Sequence, residues 1–572
     1  MRVNVRPRSA QLCILSLSLS VIPACTTAPR MDFDNQATAP LLDGFGESTL
    51  LPSQANKPAR RLFAQGITQM YAFNPSESIR AFKAALAQDP NCGLCAWGVA
   101  KQMGPNINNP KRGDLDLTTA KLYVDYMVKH SQGASARDRG LIESLAVRYG
   151  HGAARAIASP LGEICRSGGS GDSEPVDPLD IAYAEHMRVL ATRFPADPDV
   201  LSLYAEAEMV ATRGPWWDPD TGKPAGRMGE LATLLEAGIA RHPNHVGLNH
   251  YLIHGVDAVQ VASRAVAAAD RLGKLAPKSP HLLHMPAHTY ALVGRYADAT
   301  RVNQLAVAAD DAMDLELKKQ NFEISKDWRG HNLHFQWYGA LMEGRGDLAL
   351  ETARTAAGRF RGDNEFNEIL RSLPILTLLR LERWEAVAKE PMPHGGKGLE
   401  MVMGEMSRGI AMARSGQPAS ARSALARLEP EVTALVAKHG GKGFMAKIIR
   451  SLATTAQAQL GAELAFAEQR IDDAFALQTK AVAAAAFSEN AEPPVFAGLP
   501  RLRLAEMQLE ARRFEAAEQS FHEVLAKTPG SGWALHGLEK ALSAQGKQAE
   551  AERARRDLAT SWALADSQLR TR

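Results

Sequence analysis

Two histidine pairs constrain this chain more than any other feature. His250 and His254 stand four apart in H-Y-L-I-H, and His284 and His288 stand four apart in H-M-P-A-H, 34 residues later. Thirty-four residues is the length of a helix–turn–helix repeat, and four residues is about one helical turn. A third group, H-N-L-H, places His331 and His334 three apart. Nine of the chain's sixteen histidines fall between His242 and His334. Their placement follows a repeat architecture, not composition.

Composition agrees. Aromatic residues are 6% of the 572 residues while Ala and Leu are abundant, which favours stacked helices over a β fold. A hydrophobic content of 45% is ample for a large core or a long solenoid. With 66 basic and 63 acidic residues the formal net charge is +3, and no long basic stretch stands out. Nucleic acid is therefore not suggested as a partner.

The N-terminus reads as a targeting segment over residues 1–25. Arg2, Arg6 and Arg8 precede an apolar run from Leu12 to Ile22, followed by Pro23-Ala24-Cys25. That run is shorter than the roughly 20 residues a membrane span needs. Its ending resembles the lipobox of bacterial lipoproteins, which implies lipidation of Cys25 and exposure at the cell envelope. Pro23 is unusual in such a box, so simple export to the periplasm or medium is the alternative. The membrane is expected to matter only through this anchor. Residues 26–55, rich in Thr, Ala, Pro and Ser, suit a flexible tether.

Removing the leader and lipidating Cys25 leaves Cys92, Cys95 and Cys165. Cys92-Gly-Leu-Cys95 has the spacing of a redox or metal motif, and Ala96 rules out haem attachment. A local disulfide, or two small packed cysteines at a repeat junction, is the plainer expectation.

The rest divides into helical blocks. Residues 56–225 carry Leu62, Gly66, Phe82, Ala85 and Pro90 at spacings that resemble a tetratricopeptide repeat. Further helices are expected at Leu117–His130, Ala136–Tyr149, Leu179–Phe194 and Val200–Thr212. The Gly/Ser/Asp/Pro-rich stretch at 165–178 reads as an exposed loop. A second break at 213–224 contains Trp216 and Trp217, which either plug a repeat interface or floor a pocket. Residues 226–360 hold the histidine-rich repeats, with an insertion of about 16 residues near 312–329 that exceeds the repeat period. Residues 361–490 give further helices, including 366–388, 399–415 and 418–438. Residues 491–572 give C-terminal repeats and a polar capping helix.

Several stretches resemble a poorly characterised group of bacterial tetratricopeptide-repeat proteins. They are Y-A-F-N at 71–74, D-P-N-C at 89–92, W-G-V-A at 97–100 and G-P-N-I-N at 104–108, then the three histidine groups and S-G-W-A-L-H-G-L at 531–538. The resemblance covers most of residues 59–566. It implies an all-α solenoid of antiparallel helix pairs and supplies no reaction.

His284 and His334 each stand ten residues before a turn glycine, Gly294 and Gly344, and His250 stands ten before Gln260. All six paired histidines therefore belong to first helices, on the face that lines the concave groove in this repeat family. His250, His254, His284, His288, His331, His334 and Tyr338 are the expected groove residues. Three readings stay open for the histidines. They bind a first-row metal such as Zn, Cu or Fe. They line a groove for a protein, peptide or small ligand. Or they are satisfied structural side chains. Asp257, Glu206, Asp310 and Asp327 are candidate carboxylate partners. No cysteine nearby offers a thiolate.

The chain has no G-x-S-x-G elbow, P-loop, H-E-x-x-H or dinucleotide fingerprint. An array without them is most often a binding scaffold. A groove-binding scaffold at the cell envelope is therefore the leading expectation. A metal-dependent hydrolase or oxidase built on the same histidines is the alternative.

Overall fold

A computed structural model describes residues 37–110, 115–151, 176–323, 328–391 and 397–570. The leader, Cys25, Cys165, Asp327 and most of the 165–178 loop lie outside them. Among the described residues the structure is all-α, and the only β features are two isolated bridges. Successive helices joined by short turns pack on one another in the manner of tetratricopeptide pairs.

Local chemistry starts and stops these helices as the sequence suggests. Asn56, Asp116, Ser135, Asp177 and Asp197 accept hydrogen bonds from backbone N–H groups of the first turn. Each such cap is worth about 1 kcal/mol. Pro178, Pro198 and Pro280 sit in first turns, where no N–H is needed. Gly294 and Gly344 have φ of 79° and 78° in the turns of their pairs. A side chain at Gly294 would also collide with the Pro529 carbonyl, 2.5 Å from its Cβ position.

The expected helices at 117–130, 136–149, 179–194 and 200–212 are present within a residue or two. The stretch 366–388 is two helices, Glu365–Arg380 and Trp384–Lys389. Glu382 breaks it at φ 56°. Trp217 is buried and donates from Nε1 to the Gly255 carbonyl at 2.6 Å, closing a repeat interface. Cys92 and Cys95 are joined in a buried disulfide at the start of the helix Gly93–Met103.

The insertion near 312–329 begins as extra helix. Tyr296–Lys318 has 23 residues, against 14 for the matching helix Gly346–Arg359. Its far end reaches the first helix pair. Arg80 donates to Gln320 at 2.7 Å and lies over the Phe322 ring at 4.6 Å.

The superhelix closes on its central repeats from both ends. The helix Lys57–Tyr71 packs against Val246–Gly255. At the other end, Trp533 Nε1 donates to the Leu341 carbonyl at 2.9 Å and Trp562 Nε1 to Met342 at 3.2 Å. Residues 497–569 accordingly share a hydrophobic cluster with residues 296–381, while most of residues 369–499 build a separate one.

Residues 37–55 depart from the expected tether. Phe45 and Leu50 are buried, the Leu42 N–H donates to Gln65 Oε1 at 2.7 Å, and Thr49 hydrogen-bonds Asp199. Apolar side chains spaced among the polar ones give this segment something to bury.

Candidate metal centre

Three short helices and one longer one carry the histidines. His250 and His254 are one turn apart on Val246–Gly255, a helix buried along its whole length. His245 caps that helix: its Nδ1 accepts from the Leu248 N–H at 3.2 Å, leaving Nε2 to donate to Asp199 at 3.1 Å. Asp199 also accepts from Tyr71 at 2.8 Å, so His245 is spent on structure.

His281 and His284 lie on Pro280–His284 and His288 on Pro286–Leu292. Met285 joins the two in helical geometry, with φ −50° and ψ −37°. Pro286 removes a hydrogen bond there without turning His288 away from His284. His331 comes from Arg329–Met342.

Five of the six expected histidines gather, and His281 joins them. His250, His254 and His281 form one group, and His284, His288 and His331 form another, each with a nitrogen from every member within 4.8 Å of the others. The groups adjoin: ring centroids are 6.2 Å apart for His281 and His284, and 6.4 Å for His254 and His288. Asp257 and Glu492 complete a third set around His288.

The tautomers of the second group can be read from its hydrogen bonds. Asn303 donates through Nδ2 to the Ala299 carbonyl at 2.8 Å, which turns its Oδ1 toward His284. His284 must then donate from Nδ1 to that oxygen, at 2.7 Å. His288 likewise donates from Nδ1, to Asp257 Oδ2 at 3.0 Å and Glu492 Oε2 at 3.1 Å. Both Nε2 atoms therefore face each other, 3.0 Å apart. Two lone pairs do not meet at that distance unless a positive charge lies between them. In the metal-free protein a proton on His288 serves. Two ligands of a tetrahedral ion with bonds of about 2.0–2.1 Å would stand roughly 3.3 Å apart, close to what is seen.

The electrostatics follow from burial and the two carboxylates. Burial opposes charge on His288, but Asp257 and Glu492 outweigh it and hold its pKa up at about 10. Burial and the Glu492 charge lift Asp257 to about 6, against the pull of His288. Burial drives His250 down to about 3 and pushes His284 well below its ordinary range, where the His288 charge adds to the effect. A carboxylate behind a histidine is the usual support of a metal-bound imidazole.

Aromatic rings wall the groups. Phe73 lies against His250, His254 and His281 at centroid distances of 4.6, 5.6 and 4.7 Å. Trp328 stacks on His281 at 4.4 Å, and Phe335 packs against His284 and His288 at 4.8 and 4.6 Å. His331 is half-buried and the Glu492 side chain is 54% exposed, so solvent reaches the centre from that edge.

His334 and Tyr338 stand apart from these groups. His334 stacks on Trp337, faces Phe366, and has a buried Nε2 without a hydrogen-bond partner. Tyr338 packs edge-on against Tyr296. In the third repeat His331, three residues earlier on the same helix, enters the cluster instead. Of the other carboxylates considered, Glu206 pairs with Lys101 at 3.0 Å and Asp310 accepts from Asn332 at 2.7 Å. The histidines are interior side chains, all but His331 at most 9% exposed, and do not line an open groove.

His281 has a local signal, since H-L-L-H at 281–284 sets it three residues from His284, one turn away on a helix. Phe73 and Glu492 have no local signal, since each reaches the centre from a distant repeat.

No protein-family model matches the chain, and no curated protein matches it. Among solved structures, the chain is similar to one titled "Structure of Naa15/Naa10 bound to HypK-THB". That match covers 90% of this chain and 85% of that one, at 11% identity and a TM-score of 0.19. A score so low carries no argument, and the fold assignment rests on the helices themselves. Among the described residues no helix is long and apolar enough to cross a membrane.

Proposed function

We infer that this chain is a helical-repeat metalloprotein whose centre is His284, His288 and His331, holding a first-row transition-metal ion. The convergence of two Nε2 atoms whose Nδ1 atoms are both committed elsewhere carries this reading. Imidazole donors suit Zn, Cu or Fe. Three protein ligands fall short of the four that close a structural zinc site, so the ion keeps a position for water or a small substrate. Binding displaces the proton held between His284 and His288. That arrangement supports a metal-dependent hydrolase or oxidase over a groove that captures peptides through its histidines. Burial of those rings favours the same conclusion.

A stack of helix pairs also suits protein binding, which would use outer faces of the solenoid. The leader-like N-terminus would place the centre outside the cytoplasm, anchored through Cys25. Mass spectrometry of the mature N-terminus tests that placement.

Elemental analysis tests the centre. Chain purified without a histidine tag and offered Zn, Cu or Fe should retain metal, and a His284→Ala/His288→Ala variant should lose it. No retained metal in either protein would sink the reading.

A further inference from the structure

We propose that His250, His254 and His281 form a second metal site beside the first, so that the chain holds two transition-metal ions, each on three imidazoles. The inference rests on the metal reading above and extends it.

The close approach of two Nε2 atoms in the first site is repeated here. His250 Nε2 and His281 Nε2 stand 3.1 Å apart, matching the 3.0 Å between His284 and His288. Nε2 is the His250 atom turned to His281. His254 supplies the third ring, 4.8 Å by centroid from His250 and one helical turn away. All three rings are at most 9% exposed.

A second observation points the same way. Phe73, the residue that covers this triad, has φ 52°. It occupies the turn position filled by Gly294 and Gly344 in other pairs, where a bulky side chain costs roughly 1 kcal/mol or more. A hydrophobic side chain kept at a glycine position, laid over three imidazoles at once, shields a site from water. The triads then share a wall, with His281 beside His284 and His254 beside His288. Two ions so placed would occupy adjoining sites separated only by these rings.

Metal counting per chain decides the matter. Chelator-stripped chain is loaded with excess Zn(II) or Cu(II), desalted and measured by mass spectrometry of the metals. Two equivalents are expected in the wild type. One is expected in His250→Ala/His281→Ala and one in His284→Ala/His288→Ala.

One equivalent in the wild type, lost only in the His284/His288 variant, would overturn the second site and leave the first standing. None in the wild type would overturn both. Loss of both ions from the His250/His281 variant, while it still melts cooperatively, would also overturn two separate triads. If that variant fails to fold, X-ray absorption of the loaded wild type replaces it. An average of three imidazoles per ion supports the pair, and four or more around a single ion overturns it.

Discussion

H-M-P-A-H and H-N-L-H each carry two histidines and lie on equivalent first helices, yet only the first brings both into the cluster. His284 and His288 both face the centre, whereas His331 enters it and His334 turns to Trp337 and Phe366. A spacing of four keeps two side chains nearly in line, and a spacing of three swings the second by about 60°. The second-repeat pair also has dedicated partners in Asn303, Asp257 and Glu492, and His334 Nε2 has none. Placement on a shared helix face is thus not sufficient to bring a histidine into the cluster. What separates the two groups is the set of groups that hold the far nitrogen.

Substitutions in each of the two histidine groups should have opposite effects. His284→Ala/His288→Ala should abolish metal retention, whereas His334→Ala should retain the wild-type metal content. Equal losses in elemental analysis would show that the two groups are not different in kind.

Next in size is the support shell. Asn303→Leu removes the acceptor that fixes the His284 tautomer, and should weaken metal affinity by about 10–100-fold. Competition with a chromophoric chelator reads this directly, and an unchanged affinity would remove Asn303 from the account.

Phe73→Gly should relieve the strained turn but lose the ring packed on three histidines. Loss of packing should prevail, lowering stability by about 1–3 kcal/mol, less than a fully buried Phe→Ala substitution. Urea denaturation of the metal-free protein measures it, and a stabilised variant would contradict the covering role.

The smallest effect concerns His334 and acid. Burial holds its pKa near 3 in the folded chain, against about 6.5 when unfolded. Between those values the unfolded state binds a proton that the folded state does not. The stability that neutral His334 confers is therefore complete above pH 6.5 and is lost as pH falls toward 3. The loss is about 1.4 kcal/mol per pH unit for one group. His334→Leu should flatten the fall in melting temperature between pH 6.5 and 5, and an unchanged slope would show that His334 does not carry it.

Much of this molecule was legible before any coordinates. The 34-residue recurrence, the capping residues and the turn glycines specify helix pairs, because helix periodicity and termini are short-range effects. They also place His250, His254, His284 and His288 on one shared face of neighbouring first helices, the face expected to line a groove. Cys92 and Cys95, expected to form a local disulfide or to pack as two small side chains, are of the same local kind.

The closure of the superhelix was not legible. An open tetratricopeptide array would leave the histidines facing a groove. Here Phe73 from the first pair, Trp328 after the insertion and Glu492 from the C-terminal region converge on them. Those contacts depend on the small rotation between successive repeats, summed over many of them, and on a helix lengthened by the insertion. No spacing within one repeat encodes that sum. The amino-acid sequence by itself determined that paired histidines stand one turn apart on neighbouring first helices. Tertiary structure alone decided that His281 joins and His334 leaves, and that the imidazoles meet in a walled interior instead of an open groove. Ligand convergence is set by the angle between elements, and periodicity sets only the face within each one.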